Sequence, residues 1–98
     1  MRCAKGEYGQ LLALMEEAFS KSLSFEETYA IQVRLRALLR PIPHSAAPDF
    51  DEAALTFRRW LDDWDVRQRD SDYADATTAR LKESYRLVVA AAEHTDGL

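Results

Sequence analysis

The sequence predicts an all-α protein, and three observations lead to that prediction. Apolar residues recur every three or four positions through most of the chain, which is the spacing of one face of an α-helix. No segment alternates apolar and polar residues between turn-forming residues, as a half-buried strand would. The few glycines lie near the two ends of the sequence, and all three prolines lie in one internal stretch. We therefore expect a single domain over residues 1–98, built as a compact four-helix bundle of two helical hairpins.

The first predicted helix covers residues 7–21 and follows a frayed start at residues 1–6. Its apolar residues share one face, where Leu11 and Met15 lie one turn apart. The residues predicted to be buried are Tyr8, Leu11, Leu12, Met15, Ala18 and Phe19. This apolar segment is too short to span a membrane, and it lacks the small-residue cleavage site of a signal peptide. We therefore expect neither a membrane segment nor a leader.

The second predicted helix covers residues 25–40 and begins with a capping box. The Ser24 hydroxyl and the Glu27 carboxylate each accept a hydrogen bond from an amide that the first helical turn leaves unpaired. The residues predicted to be buried are Thr28, Ile31, Leu35, Leu38 and Leu39, with Tyr29 and Val33 towards one flank. Residues 41–48 contain all the prolines and cannot continue the helix, so they are predicted to form the linker between the two hairpins.

The third and fourth predicted helices cover residues 50–69 and 73–93, and a frayed tail follows at residues 95–98. No glycine or proline separates the two helices, so the break is placed at Asp70-Ser71-Asp72, where three residues that favour caps and turns are adjacent. The alternative is one continuous helix over both segments, which would favour an extended or dimeric arrangement. The residues predicted on the inner face of the fourth helix are Ala74, Thr77, Leu81, Tyr85, Val88 and Ala92.

The segment RRWLDDWD, residues 58–65, contains two tryptophans whose positions on the helix differ. Four large apolar residues, Phe50, Phe57, Leu61 and Trp64, fall within an arc of about 60° on this helix. Trp64 is therefore predicted to belong to the core. Trp60 lies at the edge of the arc, and its indole N–H requires a polar partner. It is either a residue packed at the core boundary or an exposed anchor for a binding partner.

The second half of the chain carries all of the excess negative charge. Residues 1–48 carry six basic and five acidic side chains, whereas residues 49–98 carry seven basic and twelve acidic ones. Part of this charge is explained by pairs of neighbours on the helix surface, each stabilising by about 0.3–0.5 kcal/mol. The four predicted pairs are Arg58–Asp62, Arg59–Asp63, Asp63–Arg67 and Asp65–Arg69. Between residues 62 and 75, however, six aspartates accompany only two arginines, which predicts a rigid acidic strip.

An acidic strip of this kind favours a partner protein with a basic surface, because opposite charges accelerate association. The predicted function is that of a small non-enzymatic protein-interaction module, such as an inhibitor, an immunity-type protein or an adaptor. The predicted partner-binding residues are Arg59, Trp60, Asp62, Asp63, Asp65, Asp70, Asp72 and Asp75.

Two alternatives to this function stay open. One is a regulator associated with nucleic acid, which the net charge of −4 disfavours. The arginines available for it are Arg34, Arg36, Arg40, Arg58 and Arg59. Arg34 and Arg36 nevertheless point about 200° apart on their helix, so they do not form one patch. The other alternative is a structural homodimer, in which Leu55 and Val66 lie in line on the outer face of the third helix.

Neither a cofactor nor a metal site is expected, and catalysis is not expected either. The two histidines, His44 and His94, and the single cysteine, Cys3, do not stand at metal-ligand spacing. Asp62 and Asp65 share a helix face, but they lack the glycine-shaped loop that holds calcium. One cysteine forms no internal disulfide, so a reducing cytoplasm is the expected location. The excess of arginine over lysine is typical of bacteria with GC-rich genomes and of their phages.

Overall fold

The structure is a computed structural model that describes residues 5–40 and 48–96, with side chains for residues 6–40 and 49–93. Within these ranges the chain forms five α-helices and no strand, so the prediction of an all-α fold is confirmed. The helices are α1 (Lys5–Phe19), α2 (Phe25–Leu39), α3 (Pro48–Asp62), α4 (Trp64–Arg69) and α5 (Ser71–Asp96). The predicted linker lies outside the described residues, except for Pro48.

The core lies where α1 and α3 pack against the long helix α5, while α2 covers α1 and α3 from the side. The largest side chains that are fully buried are Leu11, Met15, Leu35, Phe50, Phe57, Leu61, Leu81 and Val88. Every one of these residues was predicted to face the core. Burial of a side chain of this size stabilises a fold by about 1.5–3 kcal/mol, so these positions hold the helices together. No helix in the described part of the chain is both long and apolar enough to cross a membrane.

The predicted capping box is present at the start of α2. The Ser24 hydroxyl accepts a hydrogen bond from the Glu27 amide at 3.1 Å, and the Glu27 carboxylate accepts one from the Ser24 amide at 2.9 Å. Lys21 forms an ion pair with the same carboxylate. The hydrogen bond from Lys21 is the main cause that lowers the pKa of Glu27 to about 2, and the bonds with Ser24 add to it.

The predicted third helix, residues 50–69, is wrong as a single helix because Asp63 divides it into α3 and α4. Asp63 has φ −91° and ψ 18°, which lies outside the helical region. Its amide still donates to the Arg59 carbonyl at 3.1 Å, and the Arg67 amide donates to the Asp63 carbonyl at 3.0 Å. Asp63 is therefore a local kink, and the prediction of four helices in two hairpins is not confirmed in that form.

The break predicted at residues 70–72 is present, and Asp70 makes it. Its backbone is extended, and its amide donates to the Val66 carbonyl at 3.0 Å, which completes α4. Its carboxylate accepts a hydrogen bond from the Tyr73 amide at 3.0 Å, which caps α5. A single residue thus ends one helix and starts the next, so α5 begins at Ser71 rather than at residue 73. The two segments do not form one continuous helix.

The remaining helix ends differ from the prediction by a few residues. Lys5 and Gly6, predicted to be frayed, belong to α1, while α1 ends at Phe19 rather than at residue 21. The second helix ends at residue 39, one residue earlier than predicted. The backbone of the predicted frayed tail is helical as far as Asp96. Residues 1–4, 97 and 98 lie outside the described part of the chain.

Candidate functional site

The residues predicted to bind a partner lie in several separate places in the structure. Asp62 and Asp65 line a groove between α2 and the α3–α4 segment. Arg59, Trp60 and Asp63 line a different pocket, which faces α5. The remaining three, Asp70, Asp72 and Asp75, lie at the start of α5, where Asp70 is the helix cap and all three are exposed. The acidic strip predicted from spacing along one helix is therefore divided by the kink and by the break.

The groove between α2 and α3–α4, called here the aromatic groove, has a volume of about 270 Å³. Its lining residues are Phe25, Thr28, Tyr29, Gln32, Leu61, Asp62, Trp64 and Asp65. Phe25 is 61% exposed and Tyr29 is 53% exposed, which is unusual for aromatic side chains of this size. The ring of Phe25 packs edge-to-face against Trp64 at 5.7 Å between centroids. The groove therefore presents aromatic surface that is held in place on one side and open on the other.

Two carboxylates border this aromatic surface. Asp62 accepts a hydrogen bond from the Gln32 side-chain amide at 2.7 Å, which ties α3 to α2 and orients the carboxylate. Asp65 lies 3.7 Å from the Arg69 guanidinium, and its side chain is 69% exposed. No lysine or arginine is among the described residues that line the groove. The exposed rings of the aromatic groove are therefore bordered by two carboxylates, of which that of Asp65 is paired with Arg69.

The sequence does not reveal this groove, because its two walls come from segments that are far apart in the chain. The spacing of Phe25, Tyr29 and Val33, one every four residues, was visible as a stripe along α2. All three are exposed, Val33 at 45%. Only the placement of α3 and α4 shows that the aspartates lie next to this stripe. The sequence therefore indicated the apolar stripe on α2, which is one wall of the groove, but not the aspartates of the other wall.

Both tryptophans lie at the boundary of the core, so the prediction that Trp64 belongs to the core is wrong. Trp64, predicted to be in the core, is only half-buried, and its indole N–H donates to the Leu23 carbonyl at 2.9 Å. Trp60 is also half-buried, and its indole N–H donates to the Thr78 hydroxyl at 3.1 Å. The Arg67 guanidinium lies 3.7 Å above the Trp60 ring. Trp60 is thus a packed boundary residue with its polar partner inside the protein, which corresponds to the first of its two predicted roles.

Of the four predicted pairs on the helix surface, Asp65–Arg69 is the one that lies within ion-pair distance among the described residues. Contacts between helices replace the others. Arg67 stacks on Trp60, and Asp63 accepts a hydrogen bond from the Tyr73 hydroxyl. These contacts between helices stabilise the fold more than the predicted ion pairs would, because they use a ring face or a partly buried hydroxyl. Exposed charge pairs contribute little.

The five arginines of the nucleic-acid alternative also separate. Arg34 forms an ion pair with Glu17 at 2.7 Å and so faces α1. Arg36, Arg40 and Arg58 instead line one cleft of about 360 Å³ between α2 and α3, called here the arginine cleft, which Asp62 also lines. None of these three side chains has an ion-pair partner in the described part of the chain. The predicted divergence of Arg34 and Arg36 is confirmed.

Among the described residues, no group of three or more His, Cys, Asp or Glu side chains is arranged to hold a metal ion. Cys3, His44 and the side chain of His94 lie outside those residues. No protein-family model matches the sequence, and comparisons with curated proteins and with solved structures find no match either. Function is therefore inferred from the residues of this chain and their geometry.

Proposed function

We propose that this protein is a small non-enzymatic interaction module, of the inhibitor, immunity or adaptor type, that binds a basic segment of a larger partner protein. The segment lies in the aromatic groove. The observation that carries the proposal is the exposure of Phe25 and Tyr29 directly beside the carboxylates of Asp62 and Asp65. Exposed aromatic surface of this kind marks binding sites rather than ordinary solvent-facing surface.

The chemistry of the groove favours arginine or lysine side chains on the partner. Aromatic residues that become fully covered provide much of the energy of a protein interface. An arginine stacks on a ring such as Tyr29 while its N–H groups pair with a carboxylate such as Asp62. Because the Asp62 carboxylate is held by Gln32, little conformational entropy is lost when a cation binds to it.

The acidic residues outside the groove have a different role in this proposal. Asp72 and Asp75 are exposed on the first turns of α5. They add to the negative field that attracts a basic partner, which increases the rate of association more than the strength of the final complex. Asp63 and Asp70 are engaged in hydrogen bonds that shape the fold, so they are not required to touch the partner.

The test is site-specific crosslinking with the full chain in its native host. Tyr29 is replaced by the photo-crosslinking residue p-benzoylphenylalanine, and mass spectrometry identifies the segment that becomes attached. We expect one protein, joined through a segment rich in lysine and arginine. The same photo-crosslinking residue at Leu87, which is 59% exposed on α5, is the matched control and is expected to give no such product.

Charge-reversal variants then distinguish direct contact between the partner and the groove from long-range attraction of the partner by the net negative charge. The double change Asp62→Lys with Asp65→Lys is expected to abolish the crosslink at position 29. The double change Asp72→Lys with Asp75→Lys alters the net charge equally. It is expected to leave the yield of crosslinked product unchanged once binding has reached equilibrium. An acidic captured segment, or equal loss in both double variants, would contradict the proposal.

The arginine cleft favours a second candidate function, which is contact with the phosphates of a nucleic acid. Arginines that carry no internal ion pair are available to neutralise phosphate charge. A gel-shift experiment with duplex DNA at physiological salt tests this function. Joint replacement of Arg36, Arg40 and Arg58 by Gln is then expected to abolish binding. Arg34→Gln is the control, because Arg34 is already paired with Glu17. No binding by the unaltered protein would rule this candidate out.

A structural homodimer is the remaining candidate. Leu55 is 46% exposed on α3, while Val66 on α4 is half-buried, so the apolar surface available on this face is small. Light scattering of the purified chain measures its mass directly. A monomer over a wide range of concentration would exclude a homodimer.

A further inference from the structure

A second concavity lies between the end of α1, the α3–α4 segment and α5. It has a volume of about 450 Å³, which is within the range of small-molecule sites. Its aromatic lining residues are Phe19, Trp60 and Trp64, and its cationic lining residues are Lys21, Arg67 and Lys82. This concavity, called here the cationic cavity, shares only Trp64 with the aromatic groove.

The charge of the cationic cavity is one-sided. Three cations from three different segments line it, and no aspartate or glutamate is among its described lining residues. A lining with only positive charges contrasts with the net charge of the chain, which is −4. Lys21 is paired with Glu27, but Lys82 has no carboxylate within ion-pair distance in the described part of the chain. Its ammonium group lies 5.9 Å from the centroid of the Phe19 ring.

Arg67 is the least satisfied of these cations. Its guanidinium carbon lies 3.7 Å from the centroid of the Trp60 ring, and its Nη1 is buried without a hydrogen-bond acceptor among the described residues. Burial is the main cause that lowers the pKa of Arg67, and the nearby charge of Asp63 opposes that effect. The Asp63 carboxylate already accepts a hydrogen bond from Tyr73. Arg67 lines the cavity and has no ion-pair partner in the described part of the chain, so its positive charge is available to an anion that enters the cavity.

We propose that the cationic cavity binds a small aromatic anion. The aromatic part packs against Trp60, Trp64 and Phe19, and the phosphate, sulfate or carboxylate group pairs with Arg67 and Lys82. Both parts of the ligand are needed. The rings provide apolar contact area but no specificity, and the cations orient the anionic group but are screened by salt. This site does not depend on the proposed partner, since the cavity shares only Trp64 with the aromatic groove.

The probe for the test is 1-naphthyl phosphate, titrated into the full chain labelled with ¹⁵N. The chain has two tryptophans, and both line the cavity, so their indole N–H signals report on it directly. We expect saturable shifts of both signals. Inorganic phosphate and uncharged naphthol are the comparison ligands, and each is expected to bind at least about tenfold more weakly because it makes only one kind of contact. No saturable shift with 1-naphthyl phosphate would overturn the proposal.

Three variants locate the bound anion. Arg67→Met and Lys82→Met are each expected to weaken binding about tenfold, as the loss of one charged hydrogen bond does. Arg69→Met removes the same charge two residues away and is expected to change binding by less than about twofold, because Arg69 is exposed and salt-screened. Lys82 is an exposed residue, so its variant keeps the test valid if Arg67→Met does not fold. Equal effects of the changes at residues 67, 69 and 82 would show attraction by net charge alone and refute the site.

Discussion

The Tyr73 hydroxyl donates a hydrogen bond to the Asp63 carboxylate at 2.5 Å, and this bond joins the first turn of α5 to the kink between α3 and α4. It raises the pKa of Tyr73, because loss of the phenol proton would break the hydrogen bond and also place two negative charges side by side. Burial raises the pKa further. An aspartate that the sequence suggested for partner binding is therefore part of the fold.

Replacement of Asp63 by Asn is expected to move the pKa of Tyr73 part of the way back towards 10.0, since the amide accepts the hydrogen bond more weakly than a carboxylate and carries no charge. The raised pKa means that the bond stabilises the fold below the pKa of the unfolded tyrosine. That stability is lost as pH rises through the higher folded value. Absorbance titration of Asp63→Asn, with Tyr73→Phe to identify the signal, measures the shift. Glu16→Gln is the control, because Glu16 contacts Tyr85 instead. An unchanged Tyr73 titration in Asp63→Asn would contradict the assignment.

The contrast between Asp63 and Asp70 shows what the sequence was able to predict. Asp70 caps α5 through an amide three residues away, so its effect depends on local chemistry that a sequence reveals. Asp63 is held by a tyrosine on the other side of the break, and that contact exists only after α5 folds back against α3. Local rules therefore located one interruption and missed the other.

The aromatic groove was not predicted for the same reason as the kink at Asp63, because it depends on contacts between helices. The apolar period on each helix was sufficient to predict residues such as Phe57 and Leu81 in the core, because burial follows directly from the face of an amphipathic helix. The aromatic groove combines Tyr29 with Asp62, which are brought together by packing of α2 on α3. No spacing within one helix encodes that pairing.

Replacement of Phe57 by Ala tests the core directly. Phe57 is a fully buried residue of α3. Its loss leaves a cavity and is expected to lower the free energy of unfolding by about 3–5 kcal/mol. Leu55→Ala on the same helix is the matched control, because Leu55 is 46% exposed, and the expected loss is below about 1 kcal/mol. Urea unfolding followed by circular dichroism measures both. Similar losses in the two variants would mean that the face of α3 is assigned wrongly.

Replacement of Asp70 by Ala tests the junction between α4 and α5. The carboxylate that caps the Tyr73 amide is lost, so the free energy of unfolding is expected to fall by about 1 kcal/mol. Asp72→Ala removes an equal charge from the first turn of α5 but no capping bond, and its expected effect is at most about 0.5 kcal/mol. Thermal unfolding of both variants at the same pH separates the cap from the charge. A larger effect at residue 72 would rule out the capping role.

The capping box of α2 predicts how stability changes in acid. Glu27 has a pKa of about 2, lowered from the usual 4.5 chiefly by the hydrogen bond from Lys21 and then by those with Ser24. A depressed carboxyl pKa means that the stabilisation is complete above pH 4.5 and is lost as pH falls through 2. Glu27→Gln keeps an acceptor for the Ser24 amide but cannot titrate. The difference in unfolding midpoint between the protein and Glu27→Gln is therefore expected to shrink across this range.

Salt distinguishes the two causes of this acid dependence. The ion pair between Lys21 and Glu27 is exposed, so added salt screens it, whereas the hydrogen bonds with Ser24 are short-range and respond little. Raising the salt concentration is thus expected to move the loss of stability towards higher pH without removing it. Lys21→Met at low salt is expected to reproduce the same displacement. If Lys21→Met and the unaltered protein lose stability over the same pH range, Lys21 is not the main cause of the low pKa of Glu27.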